Sequence, residues 1–152
     1  MIKVRKAVLG DVEQIFELVN HYAKEGLMLP RTKDSLILNL QSISVAEEDG
    51  EILGLASLAI LGHDLAEVRS LAVKDSAKGR GIGKMLVKRI IEETELIGIP
   101  KLISLTYQVA FFEKCGFEII SKTEMPQKVW TDCVHCPKFP SCDEIAMAIQ
   151  TA

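Results

Sequence analysis

The sequence has no run of about 20 consecutive apolar residues, the length that an α-helix needs to cross a bilayer. Residues 2–6 alternate apolar and charged side chains, and the segment from Met1 to Lys6 lacks the apolar core of a signal peptide. We therefore expect neither a membrane span nor a membrane partner, and the expected location is the cytoplasm.

A large excess of either charge is also missing. The net charge is −3 and the pI is about 5.7, whereas a protein that binds nucleic-acid backbones usually presents a strongly basic face. We therefore expect no nucleic-acid partner. With 152 residues, 48% of them hydrophobic, the chain has the length and composition of one globular domain over residues 1–152.

Cysteine is scarce, and its spacing does not indicate a secreted disulfide framework. Three of the four thiols cluster near the C-terminus within residues 130–143, and they are Cys133, Cys136 and Cys142. Three thiolates can hold a structural zinc ion with a fourth ligand from His135, Asp143 or water, although one C-x-x-C is only half of a usual zinc ribbon. A zinc site, a redox-active cluster and a loop of reduced cysteines are therefore three open alternatives for this segment.

Hydrophobic periodicity predicts several strands first and then an alternation of helices and strands, which indicates an α+β fold. Asp11 is the predicted N-cap of the first helix with Gln14 three residues later, and Asp49-Gly50 is a strong hairpin turn signal. The predicted strands are residues 2–6, 44–47, 51–58, 67–73, 101–105, 116–120 and 144–149, and the predicted helices are residues 12–24, 81–97 and 109–114, with another beginning near Lys33.

A glycine-rich loop joins the strand predicted at 67–73 to the helix predicted at 81–97. It consists of Lys78, Gly79, Arg80, Gly81, Ile82, Gly83 and Lys84. Alternate glycines let main-chain N–H groups point outward, and the following helix adds the positive end of its dipole. Because three cations surround these groups, the loop is predicted to bind the pyrophosphate of a ligand.

Two common nucleotide loops do not fit these residues. A P-loop needs Ser or Thr after the Gly-Lys pair, but Gly83-Lys84 is followed by Met85. The dinucleotide fingerprint G-x-G-x-x-G does not match the alternate glycines, and the chain is too short for a second mononucleotide-binding half.

The loop resembles motif A of the GNAT-type N-acetyltransferases, [Q/R]-x-x-G-x-[G/A], which binds the pyrophosphate of acetyl-CoA. Lys78 stands where that family usually has Arg or Gln. Further matches are the hairpin at 47–54, the cofactor strand at 71–73 and the second signature segment at 110–117. The resemblance covers most of the chain and implies a single N-acetyltransferase domain with a mixed, mostly antiparallel sheet flanked by helices. The cysteine-containing segment at 130–143 lies outside the family pattern.

The resemblance also implies roles for particular residues. The main chain of Leu71, Ala72 and Val73 would bind the pantetheine arm like an added strand, and its N–H groups would stabilise an oxyanion. Glu67 matches the position of a general base or a water-relay partner, and its alternative is a solvated carboxylate at a strand end. Phe112, assigned to the cofactor site, replaces the tyrosine that often acts as general acid. Tyr107 is a replacement acid, or its ring packs under the cofactor.

Within the superfamily, the segments 29–32, 66–73, 105–106 and 111–113 resemble the acetyltransferase domain of N-acetylglutamate synthases. Arg31 would then bind a carboxylate of the acceptor with Arg69 as a second cation, unless Arg31 is only a solvated loop residue. The activity implied is acetyl transfer from acetyl-CoA to the α-amine of L-glutamate, in arginine biosynthesis.

Other acceptors stay open, namely another amino acid, a polyamine or a protein N-terminus, and so does a non-catalytic acetyl-CoA sensor. A homodimer is also left open. No amino-acid-kinase domain accompanies these 152 residues, so arginine feedback through such a domain is not expected.

Overall fold

The computed structural model describes residues 1–125 and 144–151. Its strands are β1 (Lys3–Lys6), β2 (Ile43–Glu48), β3 (Glu51–Gly62), β4 (Leu65–Val73), β5 (Lys101–Thr106), β6 (Glu118–Ile119) and β7 (Ile145–Gln150). Its α-helices are α1 (Val12–Lys24), α2 (Lys33–Leu38), α3 (Ile82–Ile97) and α4 (Val109–Lys114). Short 3₁₀ turns cover Leu9–Asp11, Leu40–Ser42, Asp75–Ala77 and Lys122–Glu124.

The strands form one seven-stranded sheet in the order β1-β2-β3-β4-β5-β7-β6. The pairs β1–β2, β2–β3, β5–β7 and β6–β7 are antiparallel, and β4–β5 is parallel, with Ala66 opposite Leu102 and Glu67 opposite Ile103. A helix, α3, connects the two parallel strands, as a parallel pair requires. The predicted α+β class with a mostly antiparallel sheet is confirmed. Within residues 1–125 and 144–151, no helix is long and apolar enough to span a membrane.

The β2–β3 hairpin turns at the predicted dipeptide. Asp49 and Gly50 both have positive φ angles, 53° and 83°, which is the requirement of a type I′ turn. Aspartate and glycine tolerate this region of backbone space better than most residues do. The register of β2 and β3 therefore follows from local turn chemistry.

Helix α1 begins where the sequence predicts, but its first turn is held differently. The Asp11 carboxylate makes no capping bond to α1 and accepts instead from the Val8 N–H at 2.8 Å and from Arg5. The Gln14 side chain bonds the hairpin, donating to the Gly50 carbonyl at 3.2 Å and accepting from the Ile52 N–H at 2.8 Å. The predicted capping pair is therefore wrong, because Asp11 bonds residues that precede it and Gln14 bonds the distant hairpin.

Two compact units make up the chain, residues 1–58 with 68–90, and residues 59–67 with 91–152. In the first, the apolar stripe of α1 packs on β2 and β3, and Ile15, Val45 and Leu55 have no exposed surface. In the second, Leu65 and Ile103 are buried with residues of β7. Each side chain of this size contributes roughly 1.5–3 kcal/mol on burial, so these two clusters stabilise their respective units.

Candidate active site

The glycine-rich loop adopts the backbone that its sequence predicts. Gly79 and Gly81 have φ angles of 86° and 78°, a region that side chains with a Cβ rarely enter. A Cβ atom at either position would meet nothing within 4 Å, so the requirement for glycine here is conformational and not steric. An alternation of positive and negative φ angles of this kind turns successive N–H groups toward one side, where an anion can bind.

The N-terminus of α3 continues this group of donors. The first helical bond runs from the Met85 N–H to the Gly81 carbonyl at 3.1 Å. The N–H groups of Ile82, Gly83 and Lys84 therefore lie in the first turn and have no carbonyl to bond within the helix. A 16-residue helix adds its dipole at this end, which favours phosphate oxygens.

Two of the three cations around the loop already have carboxylate partners. Arg80 forms a two-pronged contact with Glu48 at 3.0 and 2.9 Å, which lowers the pKa of Glu48, and Lys78 lies 2.9 Å from Asp75. Lys84 makes no ion pair with any residue in 1–125 or 144–151. Of the three loop cations, Lys84 is thus the one without a carboxylate partner in the described part of the chain.

Asp75 and Tyr22 organise the base of the loop, and sequence reasoning missed both. The Tyr22 hydroxyl donates to the Val73 carbonyl at 2.5 Å and lies 3.1 Å from Asp75 Oδ1, while Lys78 Nζ lies 5.3 Å from the centre of the Tyr22 ring. Contact with Lys78, then with Tyr22 and His21, lowers the pKa of Asp75. The available signal was a tyrosine in the buried stripe of α1, because a buried phenol needs a polar partner.

The predicted cofactor strand is the second half of β4. Ala72 is buried, whereas Leu71 and Val73 are partly exposed. Before them, Ser70 has a φ of 53°, which is unusual for a residue other than glycine, and the Ser57 hydroxyl donates to the neighbouring Arg69 carbonyl at 3.0 Å. This left-handed residue marks an irregularity directly before the predicted cofactor strand.

Glu67 lies inside β4 and is only 3% exposed, so the alternative of a solvated carboxylate at a strand end is wrong. Tyr107 follows β5 directly and is 41% exposed. Phe112 is buried in α4, with its ring edge-on to the rings of Phe111 and Phe117 at 5.1 Å each. The side chain at the expected tyrosine position is therefore part of an aromatic cluster.

A groove of about 540 Å³ lies beside α1 and the start of α2. It is lined by Phe16, Asn20, Pro30, Arg31, Thr32, Lys33 and Asp34. Lys33 pairs with Glu13 at 2.5 Å, but the half-buried Arg31 guanidinium has one polar partner within residues 1–125 and 144–151, the Ser35 hydroxyl at 3.2 Å. Burial, and then the nearby charge of Arg69, lower the pKa of Arg31. The two predicted substrate-binding cations are thus brought close to each other.

The predicted zinc ligands fall in a segment that the structure does not describe. Cys133, Cys136 and Cys142 lie outside the described residues, as do His135 and Asp143. Among the residues that the structure does describe, no group of three His, Cys, Asp or Glu side chains is arranged to hold a metal ion.

Comparison with known proteins gives consistent matches. The model of the Acetyltransferase (GNAT) family matches residues 11–117. An uncharacterized N-acetyltransferase of Chlorobaculum tepidum is 38% identical over 144 residues, which is 95% of this chain and 93% of that protein. An amino-acid acetyltransferase of Mycobacterium tuberculosis is 31% identical over 132 residues, covering 85% of this chain and 75% of the relative.

Among solved structures, an N-acetylglutamate synthase from Neisseria gonorrhoeae, complexed with coenzyme A and N-acetyl-glutamate, superposes with a TM-score of 0.86 at 25% identity. The match covers all of this chain but only 35% of the synthase chain.

Proposed function

This chain belongs to the GNAT acetyltransferase family, and on that premise we propose that it transfers the acetyl group of acetyl-CoA to the α-amine of L-glutamate. The product would be N-acetylglutamate, and we place the reaction in cytoplasmic arginine biosynthesis. The observation that carries the proposal is the half-buried guanidinium of Arg31, held near Arg69 with only a hydroxyl partner among the described residues. Such a guanidinium suits a carboxylate, which binds it in two-pronged fashion.

The cofactor half of the proposal rests on the glycine-rich loop. Left-handed backbone at Gly79 and Gly81, the N–H groups at the start of α3 and the charge of Lys84 together fit a pyrophosphate. The main chain at Leu71, Ala72 and Val73 would hold the pantetheine arm, as in an added strand.

Acetyl-CoA supplies an electrophilic thioester carbonyl and a thiol leaving group. The acceptor must supply a neutral amine, although an α-amine with a reference pKa of about 8 is mostly protonated at pH 7. Glu67 would take this proton from the ammonium form, directly or through one water molecule. The neutral amine nitrogen would then bond to the carbonyl carbon, and the carbon–sulfur bond would break. Main-chain N–H groups of the cofactor strand would bind the carbonyl oxygen as it gains negative charge.

A separate acid is not essential to this scheme. A thiol with a reference pKa of about 8.5 leaves readily as a thiolate, so burial of Phe112 at the tyrosine position does not prevent turnover. Tyr107, which is partly exposed, is the residue we propose to protonate the leaving sulfur.

The positive charge of Arg31 and Arg69 favours some candidate acceptors over others. A polyamine would bring further positive charge to Arg31 and Arg69 and would be repelled, whereas an amino acid brings the missing carboxylate. One relative is an amino-acid acetyltransferase of Mycobacterium tuberculosis, and one solved neighbour was complexed with N-acetyl-glutamate; both support the same choice.

The test is a panel of acceptors assayed for release of free CoA with a thiol reagent. Glutamate should give a higher kcat/KM than glutamine, spermidine or a peptide with a free N-terminus. A preference for spermidine or the peptide would overturn the amino-acid assignment. Acetyl-CoA hydrolysis that no acceptor accelerates would overturn acetyl transfer to these amines.

A further inference from the structure

Asn20 joins helix α1 to the segment that carries Arg31. Its Nδ2 donates one hydrogen bond to the Phe16 carbonyl, four residues earlier in α1, at 2.9 Å. It donates a second to the Arg31 carbonyl at 3.1 Å. The second bond spans 11 residues of sequence and is a direct polar link between α1 and the main chain of Arg31.

The chemistry of the site specifies an amide at position 20. Both groups facing Nδ2 are carbonyl oxygens, which accept hydrogen bonds and cannot donate them. Only the –NH₂ end of the Asn20 side chain can donate to both oxygens, so these two neighbours determine the orientation of the amide. A carboxylate or an apolar side chain would leave the Arg31 carbonyl without this donor.

The other end of Arg31 is held by α2. Its Nη2 donates to the Ser35 hydroxyl at 3.2 Å. The Ser35 N–H in turn donates to the Thr32 side chain at 3.0 Å, which caps α2. Arg31 is therefore held at its main chain by Asn20 and at its guanidinium by the first turn of α2.

We propose that Asn20 is a positioning residue, which fixes Arg31 in the orientation that binds the carboxylate of the acceptor. The inference rests on the proposed role of Arg31 in acceptor binding. Asparagine is a poor helix former, and Asn20 occupies an interior position of α1, where local propensity favours other residues. A residue that opposes local propensity but makes a specific long-range bond is typical of a functional position.

The direct test replaces Asn20 by leucine, which has a similar shape but no donor. Asn20→Leu should raise the KM for the acceptor about tenfold, with kcat within about twofold and unchanged binding of acetyl-CoA. The matched control is Asn39→Leu, because Asn39 Nδ2 also donates to a carbonyl four residues earlier, that of Ser35 at 2.8 Å. That variant loses the same local bond but has no bond to Arg31, and its acceptor KM should stay within about twofold of wild type.

A double-mutant cycle distinguishes positioning from a general structural effect. In an Arg31→Ala background the guanidinium is absent, so Asn20→Leu should change the acceptor KM by less than about twofold. Equal fold increases in both backgrounds would overturn the inference and leave the role of Arg31 intact. An Arg31→Ala enzyme with unchanged KM would overturn the proposed function instead.

A second readout needs no acceptor. The Nε–Hε order parameter of Arg31, assigned by its loss in Arg31→Ala, should exceed about 0.6 in wild type and fall below that value in Asn20→Leu. An order parameter equally low in both proteins, or equally high in both, would overturn the positioning role whatever the acceptor is.

Discussion

Gly54 on β3 lies so close to β4 that a Cβ atom at this position would come 2.9 Å from the main-chain oxygen of Ala72. It would also come 3.1 Å from Ile82 and Leu86 of α3. The absence of a side chain at Gly54 therefore sets how closely the cofactor strand and the first turns of α3 pack against β3.

Gly54→Ala should destabilise the protein by about 1–3 kcal/mol, because the Ala72 oxygen belongs to the backbone and cannot move aside as a side chain can. It should also weaken acetyl-CoA binding, since any shift moves β4 and the start of α3. Urea unfolding and calorimetric titration measure the two effects. Gly10→Ala is the control, because a Cβ at Gly10 meets nothing within 4 Å, and it should change neither quantity.

Gly81→Val should lower the affinity for acetyl-CoA while the fold survives. A branched residue at a φ of 78° is strained by roughly 1–2 kcal/mol, and its side chain would occupy the space where we propose that phosphates bind. Gly98→Val, at the other end of α3 with a φ of 92° and open space around it, carries similar backbone strain. Equal loss of acetyl-CoA affinity in the two variants would mean that strain alone, and not the loop, is responsible.

Arg31→Ala should reduce kcat/KM for glutamate about ten- to a hundredfold, which corresponds to roughly 1.5–3 kcal/mol of charged hydrogen bonding. Acetyl-CoA binding should hardly change. Arg31→Lys should recover only part of the loss, because an ammonium restores the charge without the planar fork of donors. Steady-state kinetics of both variants with glutamate check this, and undiminished turnover by Arg31→Ala would refute the role.

Glu67→Gln should slow acetylation by about 100-fold or more near pH 7, as expected when a general base is lost. The deficit should shrink toward pH 9–10, where most of the acceptor amine is already neutral, with a reference pKa of about 8. The pH–rate profiles of the two enzymes test this. Parallel profiles would assign Glu67 a structural role inside β4.

Asp11→Asn should lower the free energy of unfolding at pH 7 by about 1.5–3 kcal/mol, because the carboxylate receives a two-pronged bond from Arg5 at 2.8 and 3.0 Å. That bond, the largest cause, lowers the pKa of Asp11 in the folded state below its unfolded value of about 3.9. The stabilisation is therefore fully present above about pH 4 and is lost as the pH falls through the folded pKa.

Urea unfolding of wild type and Asp11→Asn at pH 7 and pH 2.5 measures this effect. The difference between the two proteins in free energy of unfolding should be smaller at pH 2.5. Asp34→Asn, which removes an exposed carboxylate without an ion pair in the described part of the chain, serves as control. A difference independent of pH would mean that the carboxylate charge is not what stabilises this site.

Features governed by local chemistry were predictable from the sequence. The hairpin at Asp49-Gly50, the ends of α1 and α3 and the glycine loop each depend on residues adjacent in the chain, and each was predicted to within one residue at the turn or helix end. Among the element bounds, it is the extents of some strands that differ, since β3 continues to Gly62 and β6 is reduced to Glu118–Ile119. Strand ends depend on the partner strand, which local pattern does not specify.

Contacts between distant residues were not predictable. Arg80 and Glu48 are 32 residues apart and Gln14 reaches the hairpin across 36, so nothing near these residues in sequence indicates their partners. The loop cations were identified by their spacing, but the carboxylate that neutralises Arg80 became visible only in the folded chain. Asn20 was missed for the same reason, since its partner at Arg31 belongs to another segment.

Helix α1 contacts both predicted binding regions of its compact unit. Asn20 holds the Arg31 carbonyl, and two residues later the Tyr22 hydroxyl holds the Val73 carbonyl at the end of the cofactor strand. If one ligand displaced α1, the displacement would therefore also change the hydrogen bond at the binding region of the other ligand. By thermodynamic reciprocity, if acetyl-CoA changes the affinity for the acceptor by some factor, the acceptor changes the affinity for acetyl-CoA by that same factor. If both regions bind their ligands as proposed, helix α1 gives this enzyme a physical route to heterotropic cooperativity between its two substrates.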